Sequence, residues 1–314
     1  CPRHVPSTTR ISRSMSRNDV FVPPTGGMAS KQANPNLPTQ PEEIAASVAK
    51  SCAAGAAIAA LHARRPDDQA TCNADIYRDI NRRIRERCDI VLNNSTGGGS
   101  SGDMLEPRPD GMFENSYPER LKGLDAGAEM ATFDGFTAVD TSQPGREILV
   151  ITTPSRCEQM ARRFQERGIK PEWEVFNPAH IIQDVTRLIQ KGYDEPPYYI
   201  NMVLGTDRNF QGGMPYSDDL LAAMVKLLPP QSIWCLSAIG PAQLPGTTRA
   251  MMMGGHVRVG LEDSLFIGKG ELATSNAQQV TRIRHIIEGL GLSVATPSEA
   301  RERLGLKGSD KVAF

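Results

Sequence analysis

The residues of this chain best suited to chemistry recur at every second position near the ends of strand-like runs. In "HVRVGLED", residues 256–263, period-two counting puts His256, Arg258, Gly260 and Glu262 on one face, with Asp263 just past them. An inward arginine and carboxylate are costly unless they are paired or functional. Taken alone, the pattern fits a structural ion pair as well as a site. "IAALHARRP" adds Ile58, Ala60 and His62 on one strand face. "PEWEVFN" adds Glu172, Glu174 and Phe176, and leaves Trp173 and Val175 to face helices. An imidazole, a guanidinium and carboxylates at one mouth could move protons, steady developing negative charge, or hold a metal ion.

Such groups converge only if the strands converge, and the chain supplies the strands. From residue 19 it alternates strand-like and helix-like segments eight times. It runs from "DVFVPPT" and "PEEIAASVAKSCAAGA" to "HVRVGLED" and "SNAQQVTRIRHIIEGLG", with one more capped helix at "TPSEARERLG". Eight units in one chain predict a closed (β/α)8 TIM barrel, a single domain over 19–314. The alternative, a doubly wound open sheet, lacks its usual support because no G-x-G-x-x-G follows the first strand. Chemistry in such barrels sits where strands end. Polar groups there include Thr25, His62, Ser95, Thr96, Thr132, Glu174, Glu262 and Asp263. The glycine-rich insertion at 97–119 lacks the lysine of a phosphate loop and reads as a mobile loop over the barrel mouth.

Composition narrows the partners. Net charge is -1, which argues against nucleic acid, and no apolar run approaches the roughly 20 residues of a membrane helix. The six cysteines include no C-x-x-C pair, so reduced thiols in a cytoplasmic setting are expected. The first 18 residues are rich in Arg and Ser and contain no acid. They read as a disordered tail, an upstream extension before Met15, or an organellar targeting signal.

"NPNLPTQPEEIA", "STGGG", "PEWEVFNPAH", "GGHVRVGLEDS" and "KGELATSNAQQV…ATPSEARERLG" occur in an order that resembles the beta-keto acid cleavage enzyme family. That family includes the 3-keto-5-aminohexanoate cleavage enzyme of lysine fermentation. The likeness runs from about Val20 to Leu306 and omits the tail and the 97–119 insertion.

The resemblance implies acyl exchange between a beta-keto acid and acetyl-CoA, giving acetoacetate and a new acyl-CoA by Claisen and retro-Claisen chemistry. It implies a homotetramer and a divalent metal, usually zinc, held by an H-x-H pair and a glutamate. His62 and Glu262 match two of those ligands, and Ala60 stands in place of the first histidine. Asp263 matches the base, Arg258 its partner, and Glu174 an inward acid near the substrate. Ser95 and Thr132 match substrate-binding hydroxyls. Met28 stands where an acidic residue is common. Other readings are a related barrel enzyme on a different carbonyl substrate, or a barrel that binds a ligand without turnover.

Overall fold

The computed structural model describes residues 17–312 and residue 314. Most of the expected tail lies outside the described residues. At its end, Arg17 and Asn18 pair in parallel with Ser293 and Val294.

Eight parallel strands close into the expected barrel. They are β1 (Val20–Val22), β2 (Ile58–Leu61), β3 (Val91–Asn94), β4 (Met130–Phe133), β5 (Lys170–Val175), β6 (Tyr198–Leu204), β7 (Ser232–Ala238) and β8 (His256–Arg258). Neighbours follow chain order, and β8 closes on β1 through Val257–Val20 and Arg258–Phe21.

Alternation sorts the side chains. Val20, Val22, Ala59, Leu61 and Leu92 point outward into a core shared with Ile44, Val48, Ile80, Ile84 and Ile283 of the surrounding helices. Phe21, Ile58, Val91, Met130, Tyr199 and Cys235 point inward and fill the lower barrel. Ala300 and Leu304 of the helix Pro297–Leu304 seal that end. Phe21 stacks on Tyr199 with ring centroids 4.9 Å apart. With its lower half packed by apolar side chains, the barrel can admit a ligand only from the mouth.

Local signals set the helix starts. Pro41 opens the helix Pro41–Ala54, with Glu43 reaching back to the backbone at Gln40 in a capping box. Asn73 accepts from the amides of Asp75 and Ile76 at the start of the helix Ala74–Arg85, as its position in the sequence predicts.

Two expectations need correction. The 97–119 insertion, expected as a mobile loop, carries regular structure: Leu105–Pro107 and Phe113–Asn115 form an antiparallel hairpin. This hairpin joins Ile148–Val150, Ala138–Asp140 and Phe210–Gln211 in a five-stranded sheet outside the barrel. Its strands are only two or three residues long, too short for alternation to reveal.

The eighth strand also stops earlier than period-two counting suggests. β8 ends at Arg258, and a turn follows in which the amides of Asp263 and Ser264 donate to the Gly260 carbonyl at 3.2 and 3.0 Å. Gly260 permits the turn, because a Cβ there would lie 2.2 Å from the Pro23 carbonyl oxygen. Four residues of extended strand would separate Arg258 from Glu262 by roughly 13 Å. The turn instead brings their side chains to 2.5 Å.

Candidate active site

Arg258 is the centre of the mouth. Its side chain rises from the inner face of β8, and its fork grips Asp263 through Nε–Oδ2 at 3.1 Å and Nη2–Oδ1 at 3.0 Å. Nη2 also donates to Glu262 Oε1 at 2.5 Å, and Nη1 to Glu174 Oε1 at 3.3 Å. One guanidinium thus serves three carboxylates from two segments of the chain, and its charge is held firmly by them.

The carboxylates are not equivalent. Burial works against the charge on Glu262, but Arg258 and His62 outweigh it and hold the carboxyl at about 2. Burial pushes Asp263 up to about 6 against the pull of Arg258. Asp263 is therefore ionised at neutral pH yet weakly enough to take a proton, as a general base must be.

Glu174 is driven well above the usual carboxylate range by burial and by the neighbouring charge of Asp134. Its Oε1 also accepts from Asn201 Nδ2 at 3.1 Å. Below it, Asn93 donates to Glu172, which burial lifts to about 7.

His62 faces this cluster from the end of β2. Its Nδ1 lies 3.1 Å from the Gly98 carbonyl oxygen, which requires Nδ1–H and leaves Nε2 toward Glu262 Oε1 at 3.4 Å. Burial opposes a charge on the ring, but Glu262 raises its pKa overall. Gly26, at φ +63°, lets the β1 loop close over Glu262, since a Cβ there would lie 2.6 Å from Glu262 Cγ.

Two connected cavities open on these groups. The inner one, about 150 Å³, is lined by His62, Ser95, Asp134, Glu174 and Glu262 on its polar side. Phe136, Val150, Phe176 and Phe210 line its apolar side, part of it contributed by the five-stranded sheet. The outer one, about 1150 Å³, begins at Glu262 and Asp263 and widens toward the surface. Met28 and Glu262 lie on both.

The structure brings Asp263, Arg258, Glu174, Glu262, His62 and Ser95 together. Thr132 sits differently: its hydroxyl accepts from the Thr96 amide at 2.8 Å, while Thr96 Oγ1 donates to the Thr132 carbonyl at 2.8 Å. Thr132 braces the end of β3 and does not line either cavity. His256 lies at the opposite end of the barrel, where its Nδ1 accepts from the Asp19 amide at 2.9 Å.

Asp134, Asn201 and Arg120 are site residues that the sequence reading passes over. Asp134 continues the inward alternation Met130–Thr132–Asp134, and Asn201 follows Tyr199 on the inner face of β6, so both were available to period-two counting. Arg120 had no such signal. Fully buried, it donates to the carbonyl oxygens of Thr96 and Asp134 and to the Thr152 hydroxyl at 2.7 to 2.9 Å, tying the β3 and β4 loops together.

Residues 20–306 match the family described as beta-keto acid cleavage enzyme. The chain belongs to that family. It is 34% identical over 283 residues to the 3-keto-5-aminohexanoate cleavage enzyme of Fusobacterium nucleatum, covering 90% of this chain and 95% of that one. It is also 34% identical to the 3-dehydrocarnitine:acetyl-CoA trimethylamine transferase of Rhizobium meliloti, covering 93% and 98%. Among solved structures, the binary complex of ObcA with oxaloacetate shares the barrel fold. Its TM-score is 0.68 at 21% identity, covering 87% of this chain and 68% of that one.

Family likeness implies a metal on two histidines and a glutamate, and the side chains present can be tested against it. His62 Nε2 and Glu262 converge, and Glu262 Oε2 is buried without a partner. The third place is occupied by the methyl group of buried Ala60. Among the described residues no group of three or more His, Cys, Asp and Glu side chains is placed to hold an ion. Catalytic zinc sites usually use three protein ligands. The donors of this family member do not fit such a site.

Proposed function

We propose that this enzyme exchanges acyl groups between a beta-keto acid and acetyl-CoA, yielding acetoacetate and a new acyl-CoA. One observation carries the reading: a buried aspartate, held by an arginine fork, faces the outer cavity beside Glu262, which also lines the inner, phenylalanine-walled cavity.

Asp263 removes a proton from C2 of the keto acid, between the carboxylate and the keto group. Arg258 and the Ser95 hydroxyl supply hydrogen bonds to the enolate oxygen and the substrate carboxylate, with the Glu174 carboxyl beside them. The enolate carbon attacks the acetyl carbonyl, a C–C bond forms, and CoA leaves as its thiolate. That thiolate then adds to the original keto carbon. The C2–C3 bond breaks, the new acyl-CoA departs, and Asp263 returns its proton to the acetoacetate enolate. Every atom of the two substrates is then accounted for in the two products.

In this reading Thr132 acts through Thr96, holding the strand end that presents Ser95. His62 and Glu262 stand as a neighbouring pair at the mouth rather than as two-thirds of a zinc site. Phe136, Val150, Phe176, Phe210 and Met28 favour a keto acid with a short, uncharged side chain. The proposal extends to a cytoplasmic homotetramer, which the family resemblance supports and light scattering tests.

The purified protein is to be incubated with acetyl-CoA and a panel of beta-keto acids bearing apolar, acidic or cationic side chains. Acetoacetate and the matching acyl-CoA should appear together, fastest with the apolar members. Keto-acid binding with neither product at any side chain would sink the reading.

A further inference from the structure

The outer cavity has opposite charges at its two ends. Its inner end carries Glu262 and Asp263; its outer part carries Lys269 and Arg282. Between them the wall is largely apolar, with Leu244, Pro245, Leu265 and Ile267.

The two cations are unusual for this chain. Arg282, on the helix Asn276–Gly289, donates through Nη1 to the Ile267 carbonyl, while its Nε is buried with no partner. No carboxylate among the described residues lies within ion-pair distance of it, although most arginines around the barrel have one. A guanidinium has five donors in a fixed fork, and a half-buried one with donors unused is prepared for an anion. Lys269 sits between Gly268 and Gly270 at the tip of the hairpin Phe266–Gly268/Glu271–Leu272, with no hydrogen bond or ion pair among the described residues.

We propose that Arg282 and Lys269 hold the phosphates of the CoA substrate and so fix which way it enters. The inference rests on the acyl-exchange reading for the identity of the ligand. CoA carries its thioester at one end of an uncharged pantetheine arm and its phosphates at the other. Phosphates are repelled by the carboxylates at the inner end and attracted by the cations outside. That polarity delivers the thioester to Asp263, with the arm along the apolar wall. The chemistry needs no cation this far from the reacting atoms; an anionic handle on the substrate does.

Acetyl-CoA and acetyl-pantetheine, which lacks the phosphates, separate this role from a structural one. In wild type the kcat/KM ratio should favour acetyl-CoA. Arg282→Gln and Lys269→Gln should each lower that ratio about tenfold, as expected for losing one charge-assisted contact. Most of the loss should lie in KM for the CoA substrate, and Arg282→Lys should recover part of it. Dephospho-CoA tells the sources apart: a retained loss assigns the diphosphate, a vanished loss the ribose phosphate.

Calorimetry with free CoA keeps the two proposals distinct. CoA binding weakened by both variants, in a wild type that shows no turnover, supports the phosphate site and refutes acyl exchange. Turnover in which both variants keep the wild-type ratio overturns the phosphate site alone. Failure of wild type to bind CoA overturns it as well.

Discussion

The two ends of this barrel both bury charge, but they balance it in opposite ways. At the lower end, Glu129 is fully buried and meets two arginines: Arg301 through Nε and Nη2 at 2.6 and 3.1 Å, and Arg85 at 3.2 Å. Asp19 there is paired with Arg303. At the mouth the ratio is reversed, with one guanidinium shared by Glu174, Glu262 and Asp263. Cation-rich pairing surrounds a buried carboxylate with guanidinium donors. Cation-poor pairing leaves carboxylates that can gain or hold a proton, and Asp263 and Glu174 are pushed up accordingly.

Breaking the mouth should damage chemistry rather than folding. Asp263→Asn should reduce kcat/KM by about 10³-fold, within the range that a general base contributes, while the melting temperature changes little. The pH profile of wild type sharpens the point. Because the ionised form of Asp263 is the active one, kcat/KM should be flat above its pKa of about 6 and fall about tenfold per unit below it. A pH-independent rate from 5 to 8 would remove Asp263 from the role of base.

Breaking the lower end should do the reverse. Glu129→Ala removes the buried carboxylate shared by Arg301 and Arg85, leaves them, among the described residues, only the exposed carboxylate of Asp89, and should cost about 3 kcal/mol in a denaturant titration. Activity per folded molecule should hold. Equal losses of stability from the mouth and the lower-end variants would mean that the two clusters are both merely structural.

The smallest effect should come from restoring what Ala60 lacks. Ala60→His places an imidazole one step below His62 on the same strand face and should raise zinc content, measured by mass spectrometry, above that of the parent. No increase would mean that His62 Nε2 and Glu262 do not share a coordination sphere with position 60, and that the strand register deduced for β2 needs revision.

Much of this arrangement was legible beforehand because it depends on period two. Inward Glu172 and Glu174 followed from outward Trp173 and Val175, and Ile58, Ala60 and His62 fell on one strand face by the same counting. The same counting would have reached Asp134 and Asn201 had it been applied to every strand. It failed beyond Arg258, where Gly260 ends the strand and alternation ceases to have meaning.

The amino-acid order by itself determined the eightfold alternation, the barrel, the strand faces and the likeness that names the family, because these rest on local periodicity and linear motifs. Only tertiary structure decided that Arg120 would bind two loops, and that short strands at 105–107, 113–115, 138–140, 148–150 and 210–211 would join over the mouth. It also decided that one guanidinium would hold three carboxylates. Those outcomes depend on contacts between residues as far as 84 positions apart, such as Arg258 and Glu174, whose separation in space no local pattern encodes.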